Sequence, residues 1–231
     1  MTKVSIVIPV YCEKKTVREI VRHICQVEMG LQKELIAVDD GSTDGTREIL
    51  KAMQQENPTL KIFFHERNLG KGAALRTGFS HATGQIIIVQ DADLEYNPKD
   101  YSKLIEPILE GKADVVYGSR FLGGPQRVLY FWHYLGNKFL TLLSNMLSNL
   151  NLNDMETCYK VFHSSILHRV EFKSNRFGFE PEFTMKVAKL GCRIFQVPIS
   201  YSGRTYQEGK KITWRDGCAT LWHILRFRFM N

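Results

Sequence analysis

Residues 86–98 read IIIVQDADLEYNP, an apolar run that ends in Asp91, Asp93 and Glu95 at every second position. In extended backbone, residues i, i+2 and i+4 project to the same side, so the three carboxylates converge if the chain stays extended past the run. Converging carboxylates repel one another and are tolerable only when a cation neutralises them or one is protonated. Hard oxygen ligands, with no His or Cys close by in sequence, select Mg2+ or Mn2+ over Zn2+. A divalent-metal site at Asp91 and Asp93 is therefore expected. Glu95 reads equally as a third ligand or as an acid ahead of a helix that begins at Pro98.

The elements that must position these acids alternate with little ambiguity. Strands are predicted at 4–10, 34–38, 61–65, 86–90 and 114–117, separated by helices at 14–28, 43–56, 72–82 and 98–110. Near-continuous apolar strands alternating with helices specify an α/β fold with a mostly parallel sheet and helices on both faces. After Arg120 the rhythm breaks. A Gly-Gly-Pro loop at 123–125 leads into a long helical pattern over 128–152, on which Phe139, Leu142, Leu143, Met146, Leu147 and Leu150 share one side. Strands are predicted at 154–162 and 194–199, with a helix at 181–190 between them and a final helical pattern at 213–229. Neither an internal repeat nor a low-complexity segment divides the chain, so the second half is expected to add to the sheet of the first.

In an open parallel sheet, ligands bind outside the carboxyl ends of the strands. Pro9, Tyr11 and Glu13 follow the first strand, Asp39, Asp40 and Gly41 the second, and Gly118, Ser119 and Arg120 the fifth. With the DADLE acids after the fourth, these ends predict a single cleft. In VDDGSTDGT, Gly41 to Asp44 are what a turn and helix N-cap want, with Ser42 or Thr43 as the cap. Two adjacent acids straight after IAV exceed that need. An ionised carboxylate there only accepts, which suits a nucleobase N–H or a ribose hydroxyl. The stretch NLGKGAALRTG at 68–78 lacks the GxxxxGK[ST] spacing of a phosphate loop. Its glycines read as a tight strand-to-helix turn and close helix packing, with Lys71 and Arg76 as the residual candidates for phosphate contact.

Composition narrows the partners. The chain has 231 residues, 44% hydrophobic and 24% charged, which is enough apolar material for a sizeable core. Its net charge of +7 favours phosphates, nucleotides or an acidic membrane surface. No zinc-finger spacing or basic block points to nucleic acid, so none is expected as a partner. Five cysteines, odd in number and without a CxxC pair, argue for a reducing compartment and against a disulfide framework. The N-terminal apolar run is short for a signal peptide, and no uninterrupted apolar stretch reaches the roughly 18 residues of a transmembrane helix. A cytoplasmic location is expected.

Taken in order, IPVYCE, VDDGSTDGT, NLGKGAALRTG, QDADLEYNP, GSR and VPISYSGR resemble the family-2 glycosyltransferases of the GT-A fold. Within that family the chain is most similar to the dolichol- or polyprenyl-phosphate mannose and glucose synthases, and the likeness runs to about Lys211. It implies that Asp91 and Asp93, with Ala92 between them, bind a divalent metal and a donor diphosphate, Glu95 standing where many members carry Gln. By the same resemblance Pro9, Tyr11, Glu13, Asp39 and Asp40 serve the nucleotide. Asp154, in NDMETCYK, stands where members have an aspartate followed by a small-residue turn and a basic strand, although the usual glycine is missing here. Glu182, in FGFEPEF, aligns with an acid that begins a family helix. Arg204, Lys210 and Lys211 resemble the basic stretch that closes over donor and acceptor phosphates, and Arg120 and Arg127 fall where the acceptor phosphate is met.

The implied activity is inverting, metal-dependent transfer of mannose or glucose, from GDP-mannose or UDP-glucose, to a polyprenyl or dolichyl phosphate. Asp93, Asp154 and Arg120 are then the expected catalytic residues. A lipid monophosphate has a second pKa of about 6, so it is already anionic and needs no strong base. The alternative acceptor, a sugar hydroxyl in polysaccharide or glycolipid synthesis, needs a carboxylate base, for which Asp154 or Glu182 is the candidate. The surplus of basic residues favours the phosphate. A nucleotidyltransferase would want a glycine-rich basic loop after the first strand, and PVYCEKK lacks the glycines.

Residues 1–212 are expected to form the GT-A domain, 1–120 as its nucleotide-sugar half and 121–212 as its acceptor half. Residues 213–231 form an amphipathic C-terminal helix with Trp214, Cys218, Leu221, Trp222, Leu225 and Phe229 along one face and Arg215, Arg226 and Arg228 supplying charge. That pattern suits an interfacial helix making peripheral contact with the inner face of an anionic membrane, or equally a terminal helix packed on the core.

Overall fold

Consecutive β-branched residues can be buried on both faces of a sheet at once, and each apolar run becomes a strand. The strands are β1 (Lys3–Val10), β2 (Gln32–Asp39), β3 (Leu60–Phe64), β4 (Ile86–Val89), β5 (Val115–Ser119), β6 (Lys160–His163) and β7 (Ile194–Pro198). The computed structural model describes residues 2–57, 59–128, 130–210 and 214–230. Its seven strands form one sheet in the order β3-β2-β1-β4-β6-β5-β7. β6 runs antiparallel to both of its neighbours, and the remaining pairings are parallel.

The helices are α1 (Val17–Gln26), α2 (Thr46–Glu56), α3 (Lys71–Ser80), α4 (Tyr101–Leu109), α5 (Phe131–Ser148), α6 (Phe179–Lys189) and α7 (Trp214–Phe229). α1 shows the period that makes such a helix: Val17, Ile20, Val21 and Ile24 are its buried residues, on one stripe. Several boundaries differ from expectation for local reasons. α2 begins at Thr46 rather than 43, because Gly45 turns the chain at φ 96° and Asp44 accepts from the Thr46 amide at 3.0 Å. The helix expected at 98–110 opens as a 3-10 turn over Pro98–Asp100, where Asn97 accepts from the Lys99 amide at 3.1 Å. The strand expected at 154–162 contracts to β6, and the residues before it form a loop held by side-chain hydrogen bonds. α7 packs on α5 and α6, burying Thr220, Ile224 and Phe227 while Trp222, Leu225 and Phe229 face outward.

The glycines of 68–78 act through packing. A Cβ on Gly72 would lie 2.2 Å from the Ser174 carbonyl oxygen, and one on Gly70 (φ 103°) 2.3 Å from that of Asn175. The backbone of 174–176 is therefore laid directly on the start of α3. Ala73 donates its amide to Asn175 O at 3.0 Å, and Arg76 donates to Ser174 O and Asn175 Oδ1, both at 2.5 Å. Arg76 is a strut between α3 and this loop.

At the opposite, N-terminal edge of the sheet, Glu34 of β2 pairs in register with Ser5 of β1 and is buried. Its Oε1 accepts from Ser5 Oγ at 2.5 Å and the Thr83 amide at 2.6 Å, while Oε2 meets Lys3 at 2.9 Å and Lys61 at 3.1 Å. Burial pushes the carboxyl's pKa up, but the hydrogen bonds from Ser5, Lys3, Thr83 and Lys61 together outweigh it and hold the group far below the usual range. Both lysines are partly exposed and can rehydrate. Glu34→Ala should then cost about 1–3 kcal/mol, mostly for the stranded Ser5 hydroxyl and Thr83 amide. Folding lowers this acid's pKa, so its stabilisation is complete above about pH 4.3 and is lost as pH falls through the folded-state value. Urea melts of both proteins at pH 7 and in acid check this: the gap between them must narrow in acid.

Candidate active site

β4 delivers the acids through a rigid exit. The Oε1 of buried Gln90 accepts from the hydroxyls of Tyr101 (2.7 Å) and Tyr159 (2.8 Å), and its Nε2 donates to the Asp91 carbonyl at 2.9 Å. Beyond Asp91 the backbone leaves extended geometry, and Leu94 adopts a φ of 63°. The period-two argument therefore fails after the first acid, and the three carboxylates do not converge on one point. Asp91 faces one cation and Asp93 and Glu95 face another, while Ala92 is buried between the first two.

The first cation is Lys71, at the N-terminus of α3. Its Nζ lies 2.9 Å from Asp91 Oδ1 and 2.9 Å from Glu180 Oε1, and these two acids, overcoming the effect of burial, hold the ammonium protonated well above the usual lysine range. The second is Arg204. Its Nη2 lies 2.9 Å from Asp93 Oδ2, its Nε 3.1 Å from Glu95 Oε1 and its Nη1 3.3 Å from Glu13 Oε1. Glu95 also accepts from the Tyr201 hydroxyl at 2.7 Å and the Arg204 amide at 3.1 Å. These bonds tie Glu95 into the 200–204 segment. Among the described residues, no three His, Cys, Asp or Glu side chains are grouped closely enough to hold a metal ion on their own. Asp93 remains short of positive charge: burial first, then repulsion by Asp91 and Glu95, push its carboxyl up to about 7 against the pull of Arg204.

The acids after β2 are occupied by the protein itself. Asp39, fully buried, accepts from Arg47 Nε at 2.9 Å and the Ser42 amide at 3.3 Å. Asp40 accepts from the amides of Leu69 (2.9 Å) and Gly70 (2.7 Å) and lies 2.7 Å from His65 Nδ1. Asp40 thus clamps the turn that places Lys71. Pro9 ends β1 beside Val10, Tyr11 is exposed, and Glu13 accepts from Thr16 Oγ1 at 2.8 Å as well as from Arg204.

In the second half, Arg120 and the fully buried Asp154 form a two-pronged pair. Nε meets Oδ2 and Nη2 meets Oδ1, both at 2.7 Å, and the Arg120 amide donates to Oδ2 at 3.1 Å. Both oxygens of Asp154 are therefore taken, and it orients Arg120 rather than standing open as a base. Glu182 is likewise filled, by the amides of Lys173 and Ser174 and by Lys186 Nζ, all at 2.7 Å. The acid at the start of α6 that reaches the site is Glu180, two residues earlier, through Lys71. Arg127 does not join Arg120: its Nη1 meets Glu208 at 2.8 Å and the Gly203 carbonyl at 3.3 Å. Lys210 sits over the Tyr130 ring, 5.7 Å from its centroid, and Lys211 lies outside the described residues.

Two buried carboxylate oxygens near these groups have no hydrogen-bond partner, Glu156 Oε1 and Glu180 Oε2. Burial, then the charge of Glu180, push the Glu156 carboxyl up to about 8, so it is largely protonated at neutral pH. Neither residue stands out in the sequence. FGFEPEF offers two acids two positions apart, and their spacing does not say which one faces the sheet edge.

The profile of Glycosyl transferase family 2 matches residues 5–171. Among solved structures, the chain is similar to glucosyl-3-phosphoglycerate synthase from Mycobacterium tuberculosis in complex with Mn2+, uridine diphosphate and phosphoglyceric acid. The TM-score is 0.77 and the identity 20%, over 100% of this chain and 80% of that one. A complex of the same enzyme with Mn2+ and UDP-glucose gives a TM-score of 0.75 and 21% identity, over 98% and 79%. At that identity the structural likeness carries the fold, and the profile match carries the family. The seven-stranded α/β sheet is accordingly of the GT-A kind, and the chain belongs to glycosyl transferase family 2, a family of glycosyltransferase enzymes.

Proposed function

We propose that this chain transfers a hexose from a nucleoside-diphosphate sugar to a polyprenyl or dolichyl phosphate, inverting the anomeric carbon. The Arg120–Asp154 pair carries the acceptor assignment. Asp154 fixes the guanidinium through Nε and Nη2, beside Tyr201, so a rigidly held cation would meet an incoming anion. A hydroxyl acceptor needs a base, and both acids expected to provide one, Asp154 and Glu182, are saturated by donors. A phosphate acceptor is already anionic and needs none. The solved neighbours bear on this reading by analogy, since their acceptor, phosphoglyceric acid, is also phosphate-bearing.

Asp91 and Asp93 fit a divalent cation, Mg2+ or Mn2+. They are hard oxygen donors, and Asp93 has the raised pKa of a carboxylate short of positive charge. The Mn2+ present with UDP in the neighbours supports this. When bound there, the ion would supply Lewis-acid stabilisation of the departing diphosphate. Arg204, displaced from Asp93 but still tethered to Glu95, would turn its charge to the same phosphates. Lys71, set by the Asp40 clamp, holds Asp91 in place. The unpartnered oxygens of Glu156 and Glu180 suit hydroxyl donors of the hexose ring. Pro9, Tyr11, Glu13, Asp39 and Asp40 would form the nucleotide side of the cleft, with UDP favoured over GDP by the neighbours' ligand.

One observation favours a second reading. Glu156, with its carboxyl pushed up to about 8, has a basicity suited to deprotonating a sugar hydroxyl. Labelled UDP-glucose and GDP-mannose offered to polyprenyl phosphate separate the two. A mild-acid-labile lipid product is expected, and its absence together with transfer to a saccharide abolished by Glu156→Gln would establish the second reading instead.

Two further outcomes follow from the first. The double variant Asp91→Asn/Asp93→Asn should lose the Mn2+-dependent thermal shift produced by UDP and should lower kcat by roughly 100-fold or more. Arg120→Ala should raise the KM for the lipid phosphate roughly 10- to 100-fold, about 1.5–3 kcal/mol, with the KM for donor little changed. Steady-state kinetics with each substrate varied in turn would read this split.

A further inference from the structure

α5 turns Leu140, Leu143 and Leu147 partly toward the core and carries large apolar side chains on its outward side as well. Its wholly buried side chains are Thr141 and Ser144, both polar. The outward side carries Phe131, Trp132, Leu135, Phe139, Leu142 and Met146, with Trp132 76% and Met146 72% exposed. At 3.6 residues per turn these six fall within an arc of about 100° and extend for about 22 Å along the helix. Packing alone does not explain such a stripe. A helix in water turns its large apolar residues inward, and a contiguous exposed apolar patch marks a surface that something else covers.

We propose that this face of α5 is where the chain lies on an anionic lipid bilayer. The proposal rests on the lipid-phosphate reading for the purpose of docking and deepens it by naming the surface. Three features select the bilayer. First, no Asp or Glu occurs between Arg120 and Asp154, and the one charged side chain within α5 is Lys138, so the helix sets no negative charge against a negative surface. Second, α7 packs beside α5 and adds Trp222, Leu225 and Phe229 to the outward side, with Arg228 exposed among them. Tryptophans and large aliphatics alongside basic residues form the composition of a helix lying in a membrane interface. No described helix is long and apolar enough to cross a bilayer. Third, the stripe is joined to the site. Tyr206 Oη lies 2.8 Å from His133 Nε2, and Glu208 pairs with Arg127 at 2.8 Å. The segment carrying Tyr206 and Glu208 begins at Arg204, which holds the donor acids. A second copy of the chain is a poorer occupant, because a two-fold contact through α5 would have to answer Lys138 with an acid this stretch lacks.

Co-flotation with vesicles tests the proposal, using phosphatidylcholine alone and phosphatidylcholine with about one third phosphatidylglycerol. The wild-type chain should float with the anionic vesicles and far less with the neutral ones. The triple variant Phe139→Ser/Leu142→Ser/Met146→Ser should bind the anionic vesicles roughly tenfold more weakly or worse. It should keep its thermal midpoint, since all three side chains already face solvent. Failure of the wild type to float, or floating of the variant equal to wild type, overturns the proposal. So does a wild-type dimer that the triple variant converts to monomer without any vesicle binding. Transfer to a water-soluble short-chain prenyl phosphate separates this surface from the acceptor assignment. The variant should match wild type there and fall behind only with long-chain acceptor in vesicles. Vesicle binding without transfer to either phosphate would leave the surface standing and remove the acceptor reading.

Discussion

Carboxylates gathered at one edge of a sheet must be met by cations, and four of them here draw those cations from different loops and helices. Asp91 is answered by Lys71 at the start of α3, Asp93 by Arg204 beyond β7, Asp154 by Arg120 at the end of β5, and Asp39 by Arg47 in α2. The cost of an unpaired charge in a low-dielectric site makes each pairing strongly conditional on the fold. It also makes the fold's loops conditional on the acids. The sheet edge is therefore held by charge balance as much as by packing, and an incoming cation or anion would change which partner each charged group selects.

Around those pairs lies a set of hydrogen-bonded clamps. Asp40 takes two backbone amides so that the turn before Lys71 has one shape, and Gln90 is gripped by two tyrosine hydroxyls so that Asp91 leaves the strand in one direction. Gly70 and Gly72 admit the 174–176 backbone, whose Ser174 amide is held in turn by Glu182. Much of what looks like catalytic chemistry in this sequence is spent on such positioning. Asp40, Asp154 and Glu182 each hold neighbouring donors in place. The segment after Arg204 extends the same logic outward, through Glu208 and Tyr206, to the helix that carries the exposed apolar stripe.

The strand–helix order and the polar strand ends were legible because burial forces apolar runs with period two or 3.6, and these show in the letters. The three-acid convergence was not, since it assumed extended backbone and Leu94 turns left-handed instead. Nor was the difference between Glu180 and Glu182. Two residues apart on a helix means about 200° of rotation, so one faces Lys71 and the other the 173–174 amides. On α5 the sequence marked Phe139, Leu142 and Met146 as sharing one side with Leu143, Leu147 and Leu150. The first three face out and the others are partly buried against the core. Periodicity reports that a stripe exists, but not what lies opposite it.

By itself the sequence determined the class of sheet, the edge at which the polar strand ends gather, the acid pair Asp91 and Asp93 on that edge, and the family. All of these follow from residue type and local spacing, which act over a few positions of chain. Tertiary structure decided which acids remain open and which are consumed, because their partners lie up to 191 positions away, as Glu13 and Arg204 do. It also decided that the apolar side of α5 faces outward. A long-range contact is set by the balance of burial, charge and loop closure over the whole chain, and no local pattern encodes that balance.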